Sequence, residues 1–154
     1  MKIIKTTSLT KDQKNTLRNL WNNEYPMALN FMAFSDFEKY LKPLNNQVHF
    51  FLLNDKNQIQ GWSFTFSRDK EKWFLIILDS KIQRNGFGNL LINKLKSLEP
   101  KLNGWVIESN NEVKKNGELY LSPLEFYLKN EFTVNSNELL DNSKISAIKI
   151  EWIK

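Results

Sequence analysis

The stretch Trp73-Phe74-Leu75-Ile76-Ile77-Leu78, continuing through Asp79-Ser80-Lys81-Ile82 into Gln83-Arg84-Asn85-Gly86-Phe87-Gly88-Asn89, decides how the rest of the chain is read. Its first six residues are apolar on both faces, as a central strand covered on each side requires. After the glycines, Leu91, Leu95 and Leu98 recur at helical spacing until Pro100. The order is strand, glycine-containing loop, helix. A helix N-terminus presents unpaired backbone N–H groups and a partial positive charge, and glycine removes the Cβ that would hold a phosphate away from them. Gly86 and Gly88 stand where such an anion cradle needs them, although two glycines can also serve a tight turn or close packing.

Other phosphate-binding patterns fail here. The dinucleotide fingerprint G-x-G-x-x-G requires a third glycine where Leu91 stands, and no Gly-Lys-Ser/Thr follows Gly86, so a Rossmann fold and nucleotide hydrolysis both drop out. Gln83-Arg84-Asn85-Gly86-Phe87-Gly88 does satisfy the pattern Gln/Arg-x-x-Gly-x-Gly/Ala at every fixed position. Farther on, Phe126-Tyr127-Leu128-Lys129-Asn130-Glu131-Phe132 is similar to a Phe-Tyr-x-Lys-x-Gly-Phe helix motif. With both motifs in the right order, the chain resembles the GNAT N-acetyltransferase superfamily.

That resemblance implies an α/β (α+β) fold with a mixed, mostly antiparallel central sheet of six to seven strands flanked by four helices. It implies acetyl-CoA (acetyl-coenzyme A) as co-substrate, its pantetheine arm pairing with backbone at Leu78 and Asp79. The pyrophosphate would lie on the loop opened by Gln83, over the amides of Arg84, Asn85, Gly86, Phe87, Gly88 and Asn89. Tyr127 matches the family's general acid, which protonates the departing thiolate after direct attack by an amine. Two departures stand out. Glu131 replaces the usual glycine before the last phenylalanine, which leaves Asn130 as the expected left-handed cap. The asparagine usual ahead of the last helix has no match, Tyr120 being nearest its place.

Working outward, Ile3 to Thr6 reads as a first strand, and Ser8 to Lys11 offers caps for a helix from Asp12 to Trp21. A second helix is expected at Asp36 to Leu41, with Ser35 and Glu38 at capping-box spacing. Val48 to Leu53 and Ile59 to Phe66 read as a hairpin around Asn54-Asp55-Lys56-Asn57, followed by a charged turn from Arg68 to Lys72. Val106 and Ile107 mark a further strand, and Ser122-Pro123-Leu124-Glu125 starts a short helix to Lys129. Phe132 to Val134 and Ile145 to Trp152 close the fold around a turn at Asp141-Asn142-Ser143. At 154 residues, with no linker or repeat, a single domain spanning 1–154 is expected.

Composition narrows the chemistry. The absence of cysteine excludes disulfides, thiolate metal sites and a cysteine nucleophile, and the lone His49 excludes a histidine-rich metal site, so no metal is expected. No segment has the ~20 apolar residues of a membrane span, and the N-terminus lacks a signal peptide's apolar run, which points to a cytoplasmic protein with no membrane partner. The net charge of +5 suits an anionic ligand, but its scatter along the chain argues against a nucleic-acid footprint.

The acceptor is expected to be a small-molecule or peptide amine. Its deprotonation falls to a base drawn from Glu24 and Glu71, with His49 and Glu108 behind them, or to a relayed water. Asn23, Glu24, Tyr25, Phe31 and Trp73 are candidates to line its pocket. The rival reading is a non-catalytic module that binds acyl-coenzyme A for regulation. The C-terminal strand is a candidate edge for a homodimer.

Overall fold

A computed structural model describes residues 1–142 and 144–154. The elements are β1 (Lys2–Thr6), α1 (Lys11–Glu24), α2 (Phe34–Leu41), β2 (Asn45–Leu53), β3 (Ile59–Arg68), β4 (Glu71–Leu78), α3 (Phe87–Leu98), β5 (Lys101–Val106), α4 (Leu124–Lys129), β6 (Thr133–Asp141) and β7 (Ser146–Ile153). Single 3-10 turns sit at Met27–Leu29 and Ser80–Ile82. The seven strands make one sheet in the order β1-β2-β3-β4-β5-β7-β6.

Every neighbouring pair is antiparallel except β4 and β5, which run parallel and share one registered pair, Trp73 with Asn103. Beyond it the strands part. The side chain of Asn103 braces the point of divergence by donating from Nδ2 to the Lys72 carbonyl at 3.0 Å. Stacked indoles of Trp73 and Trp105, 5.4 Å apart, span the same gap. The central strand is thus paired along one edge and largely open along the other.

One face of the sheet is covered by α1 and α2, where Leu17, Leu20, Phe37 and Leu41 meet Phe51, Trp62, Phe64 and Trp73. The other face is covered by α3, whose Leu91, Ile92 and Leu95 are fully buried against Phe74, Leu102 and Ile150. Each of these three side chains contributes about 1.5–3 kcal/mol on burial, enough to fix how the N-terminus of α3 faces the sheet.

The boundaries differ from expectation where side chains outcompete propensity. Helix α1 starts a residue early because Thr10 and Gln13 form a reciprocal capping box, and it runs on to Glu24, ending where Pro26 holds Tyr25 extended. Helix α2 starts at Phe34, with the Asp36 carboxylate accepting from the Ala33 amide at 3.3 Å, not through Ser35 and Glu38. The charged turn shrinks to Asp69 and Lys70, both left-handed, so that β3 and β4 pair out to Arg68 and Glu71.

Strand β6 continues past Val134 to Asp141 through a bulge between Asn135 and Leu139, where polar residues disguise it. Strand β7 has both sides occupied, by β5 and β6, so the C-terminal strand offers no edge to a second copy; the outer strands are β1 and β6. The turn at Asp141-Asn142-Ser143 lies partly outside the described residues. Among the described residues no helix is long and apolar enough to cross a membrane.

Candidate active site

Strand β4 ends by handing its open edge to the glycine loop. The Asp79 amide donates to the Gln60 carbonyl on β3 at 2.8 Å, so the strand's alternation turns the N–H and C=O of Leu78 toward the parted side. The Leu78 carbonyl there accepts from Gln83 Nε2 at 2.9 Å. Asp79 Oδ1 accepts from the Lys81 amide at 2.8 Å and caps the 3-10 turn that buries Ile82. Asp79 was expected to offer backbone to a ligand; strand alternation commits its amide to β3 instead.

Arg84 (φ 64°) and Gly86 (φ 84°) are both left-handed, which curls the loop over the start of α3. The two glycines do different work. A Cβ at Gly86 would meet nothing within 4 Å, so glycine is needed there for its dihedral, at the N-cap of α3. A Cβ at Gly88 would sit 2.9 Å from the Phe126 ring, so glycine there lets α3 approach α4. The helix ladder begins with the Leu90 amide donating to the Gly86 carbonyl, which leaves the amides of Phe87, Gly88 and Asn89 without helical partners.

Over this loop lies a cavity of about 490 Å³. Of the residues expected there, Leu78, Gln83, Arg84, Gly86, Gly88 and Asn89 line it, joined by Ile76 and Phe126. Asn85 and Phe87 are absent from the lining; Asn85 Nδ2 stiffens the loop from below by donating to the carbonyls of Ile82 and Gln83. Asn130 holds the far wall, donating from Nδ2 to Phe126 O at 2.8 Å and Asn89 Oδ1 at 3.0 Å. The left-handed cap expected at Asn130 is taken by Glu131 (φ 70°), while the Asn130 backbone N–H closes the helix end and its side chain makes that brace.

A second cavity, of about 690 Å³, opens on the α1–α2 side of β4. Trp21, Tyr25, Phe31, Tyr40, Phe66, Trp73, Trp105 and Tyr120 make it largely aromatic. Phe31 is set by Asn22, whose side chain exchanges hydrogen bonds of 3.0 and 2.8 Å with the Phe31 carbonyl and amide. Tyr25 stacks edge-on against Trp21 at 4.6 Å and faces Tyr120 at 6.2 Å.

The two cavities share Tyr25, Ile76, Tyr120, Pro123 and Tyr127. Tyr127 packs edge-on against Phe74 and Phe132 and is buried. Burial pushes all three phenols above their usual range, and for Tyr25 the neighbouring Tyr120 and Tyr127 add to it, so each is a neutral O–H donor near neutral pH.

The carboxylates are placed elsewhere. Glu24 is 8% exposed and lines the glycine-loop cavity; its Oε2 accepts from the Ser80 amide at 2.9 Å and its Oε1 pairs with Lys114 at 3.4 Å. Glu71 lines the aromatic cavity at the far end of β4, paired with Lys101 at 3.3 Å and Lys149 at 3.4 Å. Neither borders both cavities. Glu108 is exposed, and Asn23 is exposed and outside both linings.

His49 is fully buried between strands, its Nδ1 accepting from Trp62 Nε1 at 3.0 Å and its Nε2 donating to Gln47 Oε1. Sequence reasoning did not single out Tyr40, Phe66, Arg68 and Trp105 as cavity residues. The alternation Phe64, Phe66 opposite Trp73 in a hairpin was the one available signal.

No protein-family model matches the sequence, and no curated protein matches it. Solved structures do. The chain superposes on an aminoglycoside 6'-N-acetyltransferase complexed with coenzyme A at TM-score 0.70 and 14% identity, covering 99% of this chain and 97% of that one. A spermidine N-acetyltransferase from Vibrio cholerae matches at TM-score 0.65 and 16% identity over 99% and 95%. An acetyltransferase of the GNAT family from Streptococcus pneumoniae matches at 0.61 and 13% over 99% and 100%. The seven-stranded mixed sheet with its four helices is the GNAT fold.

Proposed function

We propose that this chain is a cytoplasmic acetyl-coenzyme A-dependent N-acetyltransferase that transfers the acetyl group directly to an amine of a small molecule or peptide. One observation carries the reading: a cavity over a glycine-bearing helix N-terminus meets a second, aromatic cavity at three phenols, the half-buried Tyr25 and Tyr120 and the buried Tyr127. One side suits a pyrophosphate-bearing thioester and the other an organic acceptor. The solved neighbour that holds coenzyme A supports the first assignment.

In this reading the pyrophosphate accepts from the amides of Phe87, Gly88 and Asn89, with Arg84 adding a charge-assisted contact. The pantetheine arm runs along the parted edge of β4, where Ile76 and Leu78 direct backbone groups, and displaces Gln83 Nε2 from the Leu78 carbonyl. The amine nitrogen attacks the thioester carbonyl, a C–N bond forms and the C–S bond breaks. Tyr127 donates its phenolic proton, or a hydrogen bond, to the departing sulfur, whose thiol form has a pKa near ~8.5. Glu24 acts on the cofactor side as a brace, fixing Ser80 and hence the start of the loop. With no carboxylate or imidazole bordering both cavities among the described residues, the amine proton leaves to solvent.

Isothermal calorimetry with acetyl-coenzyme A, coenzyme A and NADH tests the reading. Binding of both coenzyme A species without NADH, followed by thiol release in the presence of amines, is the expected result. Binding without turnover on any amine would favour a regulatory acyl-coenzyme A module, and no binding would remove the assignment.

A further inference from the structure

The aromatic cavity has no field that would select a polycation. Arg68, Lys144 and Lys149 on its walls balance Asp69, Glu71 and Glu138, and Lys149 is itself clamped by Glu138 at 2.7 Å and Glu71 at 3.4 Å. Its surface offers apolar and ring contacts, from Tyr25, Phe31, Tyr40, Phe66, Trp73 and Trp105. A bulky apolar acceptor is favoured over a polyamine.

Two hydrogen-bond donors in one wall lack protein acceptors among the described residues. The Arg68 guanidinium lies 4.5 Å from the Trp73 ring centroid and 5.4 Å from that of Phe66, without a carboxylate partner. The buried Trp73 indole N–H is likewise unpartnered. A flat cation without a counter-charge, stacked on an aromatic wall that holds a second, solvent-shielded N–H donor, matches a carboxylate.

The spacing fixes how far that carboxylate lies from the reacting amine. Trp73 and Ile76, the β4 residue at the junction of the two cavities, are three residues apart, about 10 Å along the strand. The nitrogen and carboxyl carbon of a free amino acid are only about 2.5 Å apart, whereas an extended tripeptide spans about 10 Å.

We infer that the acceptor is a short apolar peptide, about three residues long, bound with its α-amine at the Tyr25–Tyr120–Tyr127 junction and its terminal carboxylate against Arg68 and Trp73. The inference rests on the acetyltransferase reading and names its substrate class. It also explains why no general base borders the junction. A peptide α-amine, with a pKa near ~8, is roughly one-tenth neutral at pH 7, against roughly one part in a few thousand for an alkyl amine near ~10.4. The groups around the junction, the three phenols with Glu24 bound to Ser80 and Lys114, leave no free base to make up that difference.

The test is acetyl transfer to Leu-Phe-Leu, its C-terminal amide, free leucine and spermidine, read by thiol release, beside calorimetric coenzyme A affinity. The tripeptide acid should be preferred, and amidation should raise KM roughly tenfold or more while sparing kcat. Arg68→Met, a change at an exposed position checked by unaltered coenzyme A affinity, should erase that acid-over-amide preference. The rise of kcat/KM with pH should level off at the amine pKa of whichever peptide is used. Equal KM for acid and amide, a preference kept in Arg68→Met, or spermidine as the better substrate would each overturn the inference while intact coenzyme A binding kept the acetyltransferase reading. Loss of coenzyme A binding would overturn both.

Discussion

The two cavities that meet at Tyr127 are built in opposite ways. Half of the glycine-loop side comes from one continuous run, the end of β4 through the first turn of α3, whose chemistry is backbone chemistry; the other half is Glu24, Tyr25 and residues within 120–127. The aromatic side gathers single side chains from α1, α2, β3, β4, β5 and the β6–β7 hairpin. A ligand site made of consecutive amides is written locally, because only glycine or a rare left-handed residue allows the required dihedrals. A site made of converging rings is written nowhere in particular.

This difference decided what the sequence disclosed. The strand, the glycine loop and the helix were legible because Leu91, Leu95 and Leu98 carry a period and Gly86 and Gly88 carry a conformation. The aromatic wall was not, since each ring depends on register and on tertiary bonds such as Asn22 to Phe31. Glu24 and Glu71 looked free in sequence for the same reason: their partners Lys114 and Lys149 lie 90 and 78 residues away. Strand β6 was cut short because Asn135-Ser136-Asn137 has the composition of a turn, yet its bulge keeps it paired with β7.

The largest expected effect breaks the loop side alone. Gly86→Glu forces a side chain into a left-handed position and puts a negative charge at the helix N-terminus, so acetyl-coenzyme A affinity should fall by ~100-fold or more. Circular dichroism should stay unchanged, and so should quenching of the aromatic cavity's tryptophans by the tripeptide. Unaltered cofactor affinity would remove the phosphate assignment.

Next in size is the shared wall. Tyr127→Phe should lower kcat about 100-fold through loss of the proton donor, while coenzyme A affinity changes by less than about twofold. The phenylalanine keeps the edge-on packing against Phe74 and Phe132. Equal turnover would take Tyr127 out of the chemistry and leave the junction a purely steric gate.

Glu24→Gln sharpens the distinction between brace and base. The amide still accepts from Ser80 but leaves the Lys114 ammonium, in a side chain only 11% exposed, with the exposed Glu118 at 3.9 Å as its counter-charge. Unfolding free energy measured in denaturant should drop by about 1–2 kcal/mol, with kcat held within about threefold. A 100-fold loss of kcat at full cofactor occupancy would return Glu24 to the mechanism as the base.

The smallest effect reports on the layer beneath the aromatic side. Burial holds the His49 imidazole down to about 4, while the unfolded chain titrates at its ordinary 6.5. Below pH 6.5 the unfolded state therefore binds a proton that the folded state refuses. The stability contributed by neutral His49 is complete above that pH and is lost as pH falls toward about 4, where the folded protein protonates too. At pH 5.5 the loss is about 1 kcal/mol. In His49→Gln that increment between pH 7 and 5.5 should vanish, the carboxylates titrating alike in both proteins. Because His49 stacks 4.9 Å from Phe64 and bonds to Trp62, acid should loosen the sheet face behind the aromatic cavity before it reaches the glycine loop. Tripeptide affinity should then fall at pH 5.5 by more than coenzyme A affinity does; an equal fall in both would mean that the two sides share one cooperative support.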